Sequence, residues 1–132
     1  PYSGVISIFI KQVNCGETVT VNGGYQTRDF VFVKDVVNVL VNAMNILHNK
    51  SMVAVVNVGT GRSITIDDLL DAIVKLIGRR PKVEYKPLPI GDPEKSSGTY
   101  EKMVDLFNLS LDDFTKLEDG LKETIGYFSR KY

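Results

Sequence analysis

The 132-residue chain reads as one α/β domain with parallel strand pairing. Three observations predict this. Short runs rich in Val, Ile and Thr alternate along the chain with stretches of helical spacing, an order that feeds a parallel sheet. Two of those runs, "DFVFV" and "MVAVVNVG", are apolar on both faces, as strands covered on both sides are. Hydrophobic residues are 43% and charged residues 24%, an ordinary globular composition at a length that buries a core. Repeats, low-complexity tracts and a domain linker are not visible, so residues 1–132 are taken as one unit.

The first segment, "GVISIFIKQV" (residues 4–13), is too uniformly apolar for periodicity to separate helix from strand. In "ETVTVNGGY", Val19 and Val21 alternate with threonines and run into a turn signal. "DFVFV" (residues 29–33) follows as a strand. Asp35 then stands where it caps a helix with Val36, Val37, Leu40, Val41, Met44 and Leu47 at helical spacing. "MVAVVNVG" (residues 52–59) is the next strand, closed by Gly59-Thr60-Gly61.

The following helix carries the clearest signals. Thr65 and Asp68 form a capping-box-like pair, Ile64 and Leu69 hold staple positions, and Gly78 is placed to end it. Its stripe is Leu69, Leu70, Ile73, Val74 and Ile77. "KVEYKPLP" (residues 82–89) is a strand whose prolines confine its far end to an edge or loop. After the polar loop "IGDPEKSSGT", "YEKMVDLFN" is a short helix turning Met103, Leu106 and Phe107 inward. Thr115 and Glu118 form a second capping box, opening a last helix with Leu117, Leu121, Ile125 and Phe128 on one face.

Sixteen Lys/Arg balance sixteen Asp/Glu, which leaves no electrostatic footprint for nucleic acid or an anionic membrane. No apolar run reaches the roughly 20 residues of a membrane span, and no signal peptide is visible. Cys15 is the single cysteine and reads as a small, partly buried residue. It excludes an intrachain disulfide and fits a reducing, cytoplasmic setting. His48 is the single histidine and reads as a cap or surface residue, so no metal site is expected. The chain opens "PYSGVISIFI" without a methionine, which reads as a piece of something longer.

Some motifs bear on chemistry. "NVGTGRSITIDDLL" places a Gly-x-Gly turn between a strand and a capped helix, but Ile64 stands where a third fingerprint glycine belongs and no Gly-Lys-Ser/Thr follows. It reads as a tight structural turn rather than a cofactor loop. Arg28, in "GGYQTRDFVFVKD", offers a planar fork of donors at the mouth of a strand. Two readings stay open: a clamp for a phosphate or carboxylate ligand, or a structural ion pair with a carboxylate such as Asp92. Asp29 reads as structural, tying turn backbone through its side chain. Tyr100 and Lys102 stand two apart and share no helix face, which removes them as an acid–base pair. Asp67/Asp68 and Asp112/Asp113 fit helix starts. The residues taken alone show no nucleophile, no metal set and no cofactor loop.

Taken together, the motifs resemble the extended short-chain dehydrogenase/reductase (NAD-dependent epimerase/dehydratase) family. "GGYQTRDFVFVKDVV" is similar to that family's "QTRDFVYVxDVV" signature, and "AVVNVGTGRSITIDDLLDAI" to its "YNVGTGxxxSIxEL" segment. "PLPIGDP…SSGTYEK" and "TKLEDGLKETIGYF" match later family segments in order. The branch most resembled is that of UDP-glucose 4-epimerases and related UDP-sugar 4-epimerases. The resemblance implies a C-terminal, substrate-binding portion that lacks the N-terminal Rossmann half. NAD and the catalytic Tyr-x-x-x-Lys would belong to that half, so this chain would be inactive alone and carry no catalytic residue. It would supply the pocket for a UDP-hexose. Arg28 would clamp the diphosphate, residues 4–9 would wrap the uracil through Gly4, Val5 and Phe9, and Asp92 would lie near the ribose or diphosphate. Pro89 stands where the family has an arginine and Thr99 where it has an aspartate, which puts one phosphate contact and the exact sugar in doubt. A dehydratase or reductase of the same family, and a non-catalytic binding or assembly module, are the other readings. Apolar edges left by the absent half would be covered by homo-oligomerisation.

Overall fold

The computed structural model describes residues 4–49 and 53–130, with backbone alone at 47–49. The expectations for Leu47, His48 and Met52 fall outside the described side chains.

The segment left undecided by periodicity is a helix, α1 (Val5–Cys15). It buries Phe9, Ile10 and Val13 on one face, and Gly16 ends it in the left-handed conformation with its N–H on Gln12 and Val13 carbonyls. Cys15, at its last turn, is exposed rather than partly buried. β1 (Val19–Asn22) drops Val19 and Val21 into the same core and pairs in parallel with β4 (Val83–Lys86), from Val19↔Val83 to Asn22↔Lys86. A second sheet centres on β2 (Thr27–Asp29), antiparallel to β3 (Ser63–Thr65) and parallel to β5 (Lys95–Ser96). Neither β3 nor β5 is announced by the sequence, because a two- or three-residue strand is defined by its partner rather than by its own pattern.

α3 (Ile66–Ile77) follows its local signals. Thr65 Oγ1 accepts from Asp68 N at 3.0 Å and Gly78 closes the helix in the left-handed conformation. Leu69, Leu70 and Ile73 join Phe9, Ile10, Val13, Val19, Val21 and Leu121 in the main core. Leu121 comes from α5 (Leu117–Ser129), which packs with α1 and α3.

Several expectations are corrected. The strand expected over residues 29–33 lies upstream: its ladder ends at Asp29↔Ser63, and α2 (Val33–Asn49) already begins at Val33. Asp35 is therefore inside the helix rather than at its cap. It is 6% exposed, and its carboxylate accepts from Thr115 N and Oγ1, both at 3.0 Å. With Thr115 so engaged, the second capping box does not form; Lys116 holds the N-cap of α5 without a side-chain bond. The apolar stripe of α2 faces outward. Val37, Leu40, Val41 and Met44 are 49–70% exposed. Among the described apolar side chains of α2 the buried one is Val39, which meets Met103 of α4 (Glu101–Phe107) and Phe114 in a second cluster.

Residues 53–58 form no ladder. Val56 and Val58 pack on the second cluster, while Val53 and Val55 are fully exposed or nearly so. A strand sequence without a neighbour has no main-chain partners to define it. Between this segment, α2 and α4 lies an apolar cavity of about 380 Å³. Among the described residues, no helix is long and apolar enough to cross a membrane.

Candidate functional site

A cavity of about 240 Å³ opens where α1, β1, β2 and the start of α3 converge. Val5, Ile8 and Phe9 of α1 and Ile66 of α3 give it an apolar wall. Thr20 and Asn22 reach it from β1, because strand side chains alternate and Val19 and Val21 occupy the core side. Gln26 and Arg28 come from the β2 segment, and Asp92 from the loop after β4.

The polar groups are held by defined partners. Arg28 Nη2 donates to Asp92 Oδ1 at 2.6 Å, and Nη1 donates to the Thr27 and Pro93 carbonyls at 2.8 Å each. The ion-pair reading of Arg28 is met, with Asp92 as the partner, and the paired guanidinium lines the cavity. Gln26 is buried; its Nε2 donates to the Asn22 carbonyl and its Oε1 accepts from Gly24 N, both at 2.7 Å. Ile66 N donates to the Gln26 carbonyl and Asp67 N to the Gly24 carbonyl, which fixes α3 against this turn. Gly24 has φ +106°, and a Cβ there would come within 2.5 Å of the Asp67 carboxylate, so the close approach requires glycine. The same carboxylate accepts from the Tyr85 hydroxyl at 3.2 Å and pushes that phenol above the ordinary tyrosine range by charge and by hydrogen bonding.

Asp29 points the other way. Its carboxylate accepts from Thr60 N at 2.8 Å, Gly61 N at 3.0 Å and the Thr60 hydroxyl. The Gly59-Thr60-Gly61 turn is thus filled by an internal carboxylate, and its N–H groups are not offered to a phosphate. Gly61, at φ +69°, lies so close to Tyr100 that a Cβ would sit 2.3 Å from the ring. With these N–H groups taken and no third glycine, this turn is not a dinucleotide phosphate cradle.

Of the residues expected at a binding site, Val5, Phe9, Arg28 and Asp92 come together in the cavity. Gly4 does not: it is the exposed N-cap of α1 and lies outside the lining. Sequence reasoning missed Thr20, Asn22, Gln26 and Ile66; the signal for the first two was present in the alternation of "TVTVN". Tyr127 and Lys131 do have Tyr-x-x-x-Lys spacing, against the expectation that this chain lacks it. Tyr127 stands near the end of α5 with its ring against Phe128, α5 supplies no residue to the cavity lining, and Lys131 is outside the described residues. Lys102 Nζ donates to the Val55 carbonyl at 2.7 Å. Among the described residues, no group of three or more His, Cys, Asp or Glu could hold a metal ion.

Residues 2–59 match the model of the NAD dependent epimerase/dehydratase family. The chain is 37% identical over 128 residues to UDP-glucuronic acid decarboxylase 1 of Danio rerio, covering 96% of this chain and 29% of that protein. It is 37% identical over 108 residues to ADP-L-glycero-D-manno-heptose-6-epimerase of Nitratidesulfovibrio vulgaris, covering 77% of this chain and 31% of that one. Among solved structures, UDP-glucose 4-epimerase of Thermotoga maritima with UDP-glucose superposes with a TM-score of 0.88 at 34% identity, over 99% of this chain and 41% of that chain. The chain therefore spans between about three and four tenths of the length of these relatives.

Proposed function

Because the chain belongs to the NAD dependent epimerase/dehydratase family, we propose that its cavity is the nucleotide pocket of a UDP-sugar-converting enzyme, of the UDP-glucose 4-epimerase type. The observation that carries this reading is the convergence of Val5, Phe9, Arg28 and Asp92 on one cavity with an ionic end and an apolar wall. Such a cavity suits a ligand with a charged diphosphate and a flat ring. The likeness to a structure solved with UDP-glucose supports the choice of nucleotide. In this reading the chain binds and orients: Arg28 donates to the diphosphate, α1 covers the base, and Asp92 accepts from a ribose hydroxyl or shares Arg28 with the diphosphate. NAD and the catalytic groups belong to protein beyond these residues, and the chain alone does not turn over substrate. A reducing, cytoplasmic setting suits the exposed Cys15 thiol.

A second reading, a decarboxylase of UDP-glucuronic acid, is favoured by the 37% identity to the Danio rerio protein. Both readings share the UDP end and differ in the sugar. Calorimetric titration of UDP tests what they share. The chain is expected to bind UDP, and Arg28→Ala to weaken binding roughly ten- to a hundredfold, the effect of losing a charge-assisted contact. Failure of the unsubstituted chain to bind would overturn the pocket. Comparing UDP-glucose with UDP-glucuronic acid then separates the two sugars.

A further inference from the structure

The ionic end of the cavity is electrically neutral. Arg28 and Asp92 stand 2.6 Å apart and cancel, and Arg28 Nη1 is already spent on the Thr27 and Pro93 carbonyls. The loop that carries Asp92, "PLPIGDP" (residues 87–93), holds no other charged residue. A diphosphate brings at least one negative charge on each phosphate, and a neutral end does not balance it. A cation from outside the lining is needed.

The strand registers decide which cation can serve. β1 and β4 are parallel, with Thr20↔Glu84 and Asn22↔Lys86 as partners. Partners in a parallel ladder project from the same face and stand about 4.8 Å apart. Lys86 therefore leaves the sheet on the face from which Thr20 and Asn22 enter the cavity lining. Beside it on that face, Glu84 is already taken: Lys82 Nζ donates to its Oε1 at 2.9 Å. The Glu84 carboxyl is held below the ordinary carboxylate range by Lys82 first, through hydrogen bond and charge, with Lys86 adding the smallest attraction. Among the described residues, the exposed Lys86 ammonium makes no hydrogen bond and no ion pair. Lys95 of β5 is no substitute, because it pairs with Thr27 and so faces away from Arg28.

We infer that Lys86 is a second phosphate-binding cation of this pocket, acting beside Arg28 and supplying the net positive charge that the Arg28–Asp92 pair lacks. This rests on the nucleotide-pocket reading above. Lys86 ends β4, and the loop that follows it returns Asp92 to the cavity, so ammonium and ion pair flank one rim. The two cations have different tasks. Arg28, fixed by three hydrogen bonds, sets the geometry; Lys86, a point charge on a flexible stem, follows the ligand.

The test is calorimetric titration of UDP at low and high salt into the chain, Lys86→Gln, Lys86→Arg and Lys95→Gln. Both lysines are exposed, so the core is untouched, and circular dichroism checks the fold. Lys86→Gln is expected to weaken UDP roughly five- to tenfold at low salt, as loss of one exposed charge-assisted contact does. Its UDP affinity is also expected to fall less between low and high salt than that of the unsubstituted chain, because one screened attraction is gone. Lys86→Arg is expected to retain affinity and Lys95→Gln to leave it unchanged. Equal UDP affinity in Lys86→Gln and the unsubstituted chain would overturn this assignment while the pocket stands. An equal loss in Lys95→Gln would overturn it too, since only overall charge would then matter. Absence of UDP binding by the unsubstituted chain would overturn the pocket and the assignment together.

Discussion

Arg28 and Asp29 are neighbours in β2 with opposite tasks. Successive strand residues face opposite sides, so one side chain enters the cavity while the other crosses to the turn at residues 59–61. The charge of Arg28 was legible in the sequence, and so was the structural character of Asp29. The partner of Asp29, a turn 31 residues further along, was not, because no local pattern encodes a contact at that separation. Asp29→Asn keeps the shape but removes the charge and one acceptor from a carboxylate that takes three hydrogen bonds. Unfolding in denaturant is expected to show a loss of about 2 kcal/mol. Unchanged stability would mean that the turn is held by other contacts. Asn22 and Thr20 belong to this scale too. Their alternation with Val19 and Val21 was visible, but which face of the strand would meet a cavity depends on α1 and β2 lying above it.

At the scale of elements, legibility followed the range of the interactions. α3 was read correctly because Thr65, Asp68 and Gly78 act within one helical turn of its ends. The type of α1 was hidden by an apolar run with no polar face to set a period, and only packing on α3 and α5 defines it. In α2 the period was right, but the period alone did not say which face packs. Both sides of the helix carry apolar residues, and the one that packs is decided by Val39 meeting Met103 and Phe114. The second capping box failed because a buried carboxylate, Asp35, takes Thr115 instead. Substitutions should separate the two faces of α2. Val39→Ala is expected to lower stability by about 2 kcal/mol, since it removes buried apolar volume. Leu40→Glu with Met44→Glu is expected to change it by less than about 0.5 kcal/mol, as exposed positions do. Unfolding curves in urea check both; a large loss in the double variant would mean that the outward face is covered.

The whole molecule has one finished side and one open side. Around the cavity, Gln26, Arg28 and Asp92 are paired and the core is closed. Around α2 and residues 53–58, valines, a leucine and a methionine lie exposed beside an apolar cavity. The chain spans between about three and four tenths of its relatives' length, and a fold completed by more protein would leave such a side. In isolation this surface favours self-association. Sedimentation velocity is expected to show species larger than a monomer, and Leu40→Glu with Met44→Glu to restore the monomer; a monomer without the substitutions would show that the face tolerates water. The measurement that tests the central claim most directly is nuclear magnetic resonance mapping of UDP binding on the backbone amides. The account expects shifts concentrated at residues 5–9, 20–22, 26–28 and 92, and absent from α2 and residues 53–58. Shifts centred on the apolar cavity beside α2, or no shifts at saturating UDP, would contradict it.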